Sequence, residues 1–403
     1  MNKRILYINE SLGTGSVAGI IEQLGLRAQA LGYTCMVAHG ARYVGPSRLP
    51  HFSFSSKAEE YTHGAISLFG NAHGLGSCWA TRRLIAFIQK YQPSLIHLHN
   101  IHGYYLNYPL LFAFLKQADM PVVWTLHDCW ALTGRCAHFT LSACNQWKTQ
   151  CRTCPIYYDY PRSVLHSGTQ RNFEFKKHAF NGIKNLTITT VSEWLHQQVT
   201  QSLLQAYPCQ TILNGIDINC FSPQPSDWRK KWNAENKIVL LGVASQWTET
   251  KGWSDWIKLA QWLDDSYRIV LIGVNEQQKR QLPSNCIAIS HIADKHEMAK
   301  IYSAADVYVN LAHQEAFGLT LVEAMSCGTP CVSYNNTAIP ETTTPDTCVV
   351  VPDGDLDAVI ATIKAQGSSM KAERGEMCRQ HVLSHFNEEE KIEEYMELYS
   401  RLS

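Results

Sequence analysis

No stretch of this sequence approaches the roughly 18 consecutive apolar residues needed to span a bilayer. Its most apolar run, Pro109 to Leu115, is far too short. Charge of one sign is not in excess either: 35 basic residues stand against 35 acidic ones, so no net field attracts a polyanion and nucleic acid is excluded as an expected partner. Charge of any sign is sparse, at 17% against 45% hydrophobic residues, the balance of a soluble globular chain. Internal repeats and low-complexity tracts are missing, which excludes solenoid and fibrous architectures. The N-terminus, MNKRILYINE, has only a short apolar run before Asn9 and Glu10. It reads as a buried first strand and not as a signal peptide, and the expected location is the cytoplasm.

What is present is length and alternation. At 403 residues the chain exceeds what one hydrophobic core supports, so two domains of about 200 residues each are expected. Short runs of Val, Ile and Leu alternate with longer amphipathic stretches, the pattern of an α/β protein with parallel sheets flanked by helices. In the first half the expected strands are Arg4 to Ile8, Thr34 to Ala38, Leu95 to His99, Val122 to Leu126 and Leu186 to Val191. In the second half they are Lys237 to Ala244, Arg268 to Ile272, Asp306 to Val309, Pro330 to Ser333 and Cys348 to Val351. Gly, Pro, Asp and Ser concentrate between the halves, which places a linker at 214–236 between an N-terminal domain, 1–213, and a C-terminal domain, 237–385. Residues 386–403 carry Ile392, Tyr395, Met396 and Tyr399 at helical spacing. They are expected to form a terminal helix that packs back on the N-terminal domain.

The first strand is followed by Gly13-Thr14-Gly15-Ser16-Val17-Ala18 and then a helical pattern. A dinucleotide fingerprint would occupy this place, but it needs an acidic residue at the end of the second strand, and that strand ends in His39-Gly40. Two readings stay open: small residues that let backbone N–H groups approach an anion such as a sugar diphosphate, or glycines that only make a tight turn.

The most informative segment runs from His313 to Pro330 and carries Glu315 and Glu323, eight residues apart. Glu315 precedes an expected helix. Glu323 lies within it between Leu321, Val322, Ala324 and Met325, where a carboxylate is costly unless something pairs with it. Vicinal ribose hydroxyls suit one carboxylate and sugar hydroxyls the other, and the helix N-terminus at Phe317, Gly318 and Leu319 offers backbone donors to a phosphate. The plainer alternative is a helix with one acid before its N-terminus and one snorkelling glutamate.

This segment resembles the Glu-x7-Glu signature of family 4 glycosyltransferases. The similarity continues in Asn214-Gly215-Ile216-Asp217 and in Val351-Pro352-Asp353-Gly354-Asp355, and covers essentially the whole chain. Within the family, Trp124 to Pro155 most resembles glycosyltransferases of colanic-acid-type exopolysaccharide assembly. The resemblance implies a GT-B fold, two Rossmann-like domains with parallel sheets facing an interdomain cleft, and retention of anomeric configuration. It assigns Glu323 to the nucleotide ribose, Glu315 to a donor-sugar hydroxyl, and the backbone of Phe317, Gly318 and Leu319 to the phosphates. Lys251 matches the family's lysine on the diphosphate, where a cation stabilises the leaving group. Taken alone, Lys251-Gly252 reads as a solvated helix start. Two departures stand out: Gln246 occupies the place of a family arginine, and the family's glycine-rich turn before Pro-Glu is here Asn336-Thr337-Ala338-Ile339-Pro340-Glu341.

His97 and His99 share one face of their strand, and His127 with Asp128 ends the next one. Polar residues at the carboxyl ends of parallel strands line the crevice where such proteins bind ligands. By the resemblance, His127 lies near the reacting sugar and acceptor. His99 is placed on the acceptor side with it, and His97 and His99 also read as supporting or core residues. Cys136, Cys144, Cys151 and Cys154 fall close together in an insert at about 129–160. Structural zinc, redox-labile disulfides and unbound thiols all remain open for them. Arg135, His138, Trp147, Lys148 and Arg152 make this insert either an acceptor surface or an ordinary exposed loop.

The expected function is transfer of a hexosyl unit from a UDP- or GDP-sugar to a surface glycan, lipid-linked and so reached by peripheral contact at the inner face of the membrane. No catalytic cofactor is expected, since no Asp-x-Asp is placed to hold a cation on the diphosphate. The alternatives are a GT-B nucleotide-sugar epimerase, which needs no acceptor, and a non-catalytic nucleotide-sugar-binding partner.

Overall fold

The computed structural model describes residues 3–164 and 168–402. The chain divides into two compact units, Met1–Ile212 with Ile392–Ser403, and Leu213–Lys391.

The first unit is built on seven parallel strands: β1 (Arg4–Asn9), β2 (Thr34–His39), β3 (His51–Ser53), β4 (Leu95–Leu98), β5 (Val122–Leu126), β6 (Leu186–Thr190) and β7 (Cys209–Thr211). Their order is β3-β2-β1-β4-β5-β6-β7. Strands covered on both faces read as continuous apolar runs, and Ile5 to Ile8 are fully buried. Strand order reverses between β1, whose Ile5 pairs with Cys35 on one side, and β4, whose Leu95 pairs with Ile5 on the other. The residues that follow β1, β4 and β5 therefore emerge together at the point where such sheets bind ligands.

Residues from Ile392 onward complete this unit. Tyr395, Met396 and Tyr399 are buried against Ile5, Leu24, Leu95 and Val123. The Tyr399 hydroxyl lies 2.6 Å from Nδ1 of His97, whose Nε2 lies 2.7 Å from the Thr125 hydroxyl. Both ring nitrogens of His97 are thus engaged inside the core, and burial holds its pKa well below the ordinary value. His97 supports the fold. Tyr399→Phe leaves one imidazole nitrogen buried without a partner, so it is expected to destabilise the protein by about 1–3 kcal/mol in urea denaturation.

The second unit has six parallel strands: β8 (Ile238–Val243), β9 (Tyr267–Ile272), β10 (Cys286–Ile289), β11 (Val307–Asn310), β12 (Cys331–Asn335) and β13 (Cys348–Pro352). Their order is β10-β9-β8-β11-β12-β13, and it reverses between β8 and β11. Trp256 and Leu259 of the Trp253–Trp262 helix pack with Leu240, Ile269 and Leu271 in its core. Gly242 is required there: a Cβ on it would lie 2.4 Å from the Trp256 indole.

Strands β3, β7 and β10 have no counterpart in the sequence reading. They are three or four residues long and none is fully buried. β3 and β7, His-Phe-Ser and Cys-Gln-Thr, carry no apolar run to betray them, whereas β10, Cys-Ile-Ala-Ile, is an apolar run too short to stand out.

Candidate functional site

In the second unit, the loops after β8 and β11 leave the sheet side by side. They lie close enough that a Cβ on Gly252 would sit 2.1 Å from the Leu311 carbonyl oxygen, and Gly252 also takes φ +75°. The His313 N–H donates to the Thr250 carbonyl at 2.8 Å. This juxtaposition brings Lys251 Nζ to 2.7 Å from Glu315 Oε1, an ion pair with side chains only 30% and 15% exposed.

Glu315 is braced from behind by Thr337. The Thr337 hydroxyl donates to the Glu315 carbonyl at 2.6 Å and accepts from the Glu315 N–H at 2.9 Å. Thr337 holds φ at +41°, a conformation that a glycine-rich turn adopts freely and that threonine enters only when its surroundings require it. The altered turn noted in the sequence is thus a positioning device for Glu315. His313 is held by Asp353 at 2.9 Å.

Gly318, at φ +90°, opens the Leu319–Ser326 helix, which has no side-chain cap and no acid in its first turn. Its N-terminus therefore presents partial positive charge without competition from its own side chains. Phe317 anchors the turn: its ring is buried and meets Phe386 edge-on at 5.7 Å. One turn into the helix, Glu323 Oε2 accepts from the Tyr302 hydroxyl at 2.8 Å. Burial pushes the Glu323 carboxyl up to about 7, although the Tyr302 hydrogen bond and the Lys295 charge pull it down. It is a carboxyl short of donors, and Tyr302, which sequence reasoning missed, meets only part of its demand. Gln246 is exposed beyond the end of β8.

In the first unit, the two glycines after β1 differ. A Cβ on Gly13 would fall 2.1 Å from the Pro46 carbonyl oxygen, so Gly13 serves close packing of two loops, whereas Gly15 at φ +82° opens the Ser16–Ala30 helix into empty space. His99 Nδ1 lies 3.0 Å from His127 Nε2 with the rings stacked. Burial lowers the His127 pKa to about 4, against the pull of Asp128, so the imidazole is neutral at pH 7 and can accept a proton or hold a hydroxyl.

Beside it is a charged pair whose Asp128 the sequence already marks at the end of its strand. His102 Nε2 lies 2.8 Å from Asp128 Oδ2. Burial opposes charge on His102, but the Asp128 carboxylate outweighs it and raises the His102 pKa. Burial likewise disfavours charge on Asp128, yet its pairing with His102 holds it well below the carboxylate range. Glu10 lies against Gly103, where a Cβ would come within 2.3 Å of its carboxyl carbon. Its pKa is raised by burial, with His102 and Arg42 opposing. The legible signal was position: Glu10 follows β1, His102 follows β4 and Asp128 follows β5, all at the carboxyl ends around the switch point.

The cysteine insert mixes buried and exposed side chains: Lys148 and Arg152 face solvent, while its core is internal. Arg135, Trp147, Cys136, Cys151 and Cys154 are buried, Cys144 partly so. All four cysteines line one small cavity, and the Gly134 N–H donates to Cys151 Sγ at 3.2 Å. All fourteen cysteines are free of disulfides. Among the described residues, no three His, Cys, Asp or Glu side chains are arranged to hold a metal ion.

Two family models match the chain in tandem. Residues 20–219 match "Glycosyltransferase Family 4" and residues 225–371 match "Glycosyl transferases group 1". The chain belongs to the glycosyltransferases. Its relatives include an Escherichia coli (strain K12) glycosyl transferase named for colanic acid biosynthesis, 25% identical over 84% of each chain. A Bacillus anthracis N-acetyl-alpha-D-glucosaminyl L-malate synthase is 25% identical over 53% of this chain and 58% of that one.

Solved structures share the GT-B fold of two Rossmann-like units. Sucrose-phosphate synthase from Thermosynechococcus elongatus superposes with a TM-score of 0.72 at 18% identity, over 100% of this glycosyltransferase and 99% of that chain. Anabaena HepE in complex with UDP-glucose superposes with a TM-score of 0.70 at 16% identity, over 99% and 100%. No helix among the described residues is long and apolar enough to cross a membrane.

Proposed function

We propose that this glycosyltransferase moves a hexosyl unit from a nucleotide sugar to a growing, lipid-linked surface glycan with retention of anomeric configuration. The observation that carries the reading is the convergence, at the β8/β11 switch point, of Lys251 and Glu315 beside an uncapped helix start, with Glu323 one turn further along that helix. Glu323 takes the ribose hydroxyls as the donors it lacks, the amides of Phe317, Gly318 and Leu319 face the diphosphate, and Gly15 offers a second anion approach. HepE, solved with UDP and with UDP-glucose, supports a UDP-sugar as the first donor to test, with GDP-sugars next.

Lys251 and Glu315 satisfy each other. An incoming donor divides them: the diphosphate takes the ammonium group and a sugar hydroxyl takes the carboxylate. As the bond from the anomeric carbon to phosphate oxygen breaks, the lysine stabilises the charge left on the departing diphosphate. The acceptor oxygen bonds to the same carbon, and its proton passes to the departing phosphate oxygen, so retention needs no separate enzymatic base. Neutral His127, backed by His99, orients the acceptor hydroxyl.

His127→Ala is expected to slow turnover by more than threefold with donor affinity unchanged. Turnover within threefold of wild type removes the role assigned to His127. The reaction needs no catalytic cofactor, and EDTA is expected to leave it unaffected. A zinc ion on Cys136, Cys144, Cys151 and Cys154 would be structural, since four thiolate ligands leave no open position. No step is routed through it, and metal analysis of reductant-treated protein tests it: about one zinc per chain supports the site, and well under one removes it.

A further inference from the structure

The Lys57–Gly70 helix is inside out. Its buried positions are Glu60, His63 and Ser67, while Tyr61, Ile66 and Phe69 face solvent at 65%, 45% and 64% exposure. The arrangement is enforced by the polar side. Glu60 accepts hydrogen bonds from the Ala41 N–H and the Ser55 hydroxyl. His63 Nδ1 lies 2.8 Å from the Tyr104 carbonyl oxygen, and its Nε2 accepts from the N–H groups of Gly74 and Gly76 at 3.0 and 3.1 Å. Rotating the helix to hide its apolar face would strip these buried groups of their partners, which native structures avoid. The outward apolar stripe is therefore a fixed feature of the first unit.

Its surroundings are cationic. Arg42 stacks over the Tyr61 ring at 5.3 Å and the Tyr43 ring at 5.0 Å. Arg171 donates to the Gly70 carbonyl at the far end of the helix. Arg162 and Lys57 are exposed nearby, and the Val164 N–H, two residues beyond Arg162, donates to the Leu68 carbonyl. The two carboxylates of the helix are both taken, Glu59 by Arg83 and Ser56, and Glu60 by its buried contacts. On the following helix, Trp79 is 71% exposed with Arg82 over its ring at 4.9 Å.

We propose that this face docks on an anionic lipid bilayer, with Ile66 and Phe69 entering the acyl boundary and the arginines pairing with headgroup phosphates. Apolar residues on one face of a helix, cations around it and Tyr and Trp at its margins suit an interfacial helix. A second copy of the chain fits less well, because a two-fold contact would set the same arginines against each other. The inference goes beyond the transferase reading. Its test uses neither donor nor acceptor, so its failure leaves that reading standing.

The test is flotation of the full-length protein with vesicles of mixed phosphatidylglycerol and phosphatidylethanolamine, against vesicles of phosphatidylcholine. Binding is expected to the anionic vesicles alone, to weaken as salt is raised, and to fall at least about tenfold in Ile66→Ser/Phe69→Ser. Trp262→Ser, which removes an equally exposed apolar residue of the second unit, is expected to leave it unchanged. If the double serine variant melts early, Lys57→Glu/Arg162→Glu carries the same test. Wild-type protein that stays with the soluble fraction overturns the proposal, as does binding that none of these variants weakens. Sedimentation showing a dimer that the serine variant dissociates, without vesicle binding, overturns it in favour of a self-association surface.

Discussion

Glu323→Ala is expected to abolish measurable binding of the nucleotide donor, a loss of about 100-fold or more. The carboxyl is half-buried on a mostly apolar helix and accepts from the Tyr302 hydroxyl at 2.8 Å. Two ribose hydroxyls donating to a carboxylate form charge-assisted bonds, worth about 1.5–3 kcal/mol each, and alanine removes both. The fold should survive the change, because alanine also removes the cost of burying a charge.

The same group sets a pH dependence whose sign follows from its shift. Burial raises the Glu323 carboxyl from 4.5 to about 7, so the native state holds this proton more tightly than the unfolded chain does. The resulting stabilisation is fully present below the unfolded value near 4.5 and is lost as pH rises through 7. Donor binding runs the opposite way, since only the ionised carboxylate accepts from both hydroxyls. Affinity is expected to fall by up to about tenfold per unit as pH drops below 7, and Glu323→Ala should flatten the profile. Calorimetric titrations from pH 6 to pH 8 check both points.

Lys251→Ala is expected to lower kcat by about 100- to 1,000-fold, the usual effect of deleting a donor aimed at developing negative charge. Donor affinity should fall less, because the helix start at Gly318 still faces the diphosphate. The same substitution strands Glu315, whose side chain is only 15% exposed. Some loss of thermal stability therefore accompanies it, and Glu315→Gln in the same chain should restore stability but not kcat. A variant that keeps kcat while losing stability would show that the pair is structural.

The sequence was legible where periodicity and chemistry coincide. Strands such as Val122–Leu126 carry unbroken apolar runs because both faces are covered, and Lys251 and Glu315 stand at strand ends that the alternation already marked. The edge strand β13 was legible from its Cys-Val-Val-Val run, but β3 and β7 are polar and three residues long, and β10 is a four-residue apolar run too short to stand out. The supporting role of His97 was legible from its place within a strand, but the Tyr399 hydroxyl that engages it comes from a segment 302 residues away. Asp128 stands at a strand end that the sequence marks, but the partners His102 and Glu10 reach it from two other strand ends, a meeting that only the fold shows. Thr337 reads as a departure from a family turn; only the hydrogen bonds show that it braces Glu315. The inverted Lys57–Gly70 helix carries apolar residues at helical spacing, and periodicity alone says nothing about which face points inward.

The most direct measurement is isothermal titration of the wild-type protein with UDP, GDP, ADP and their common sugar conjugates, without added metal. Saturable binding of one nucleotide and its sugar conjugate is expected at one site per chain, lost in Glu323→Ala. No binding of any of them, or binding that Glu323→Ala leaves intact, would contradict a donor site built on Lys251, Glu315 and Glu323.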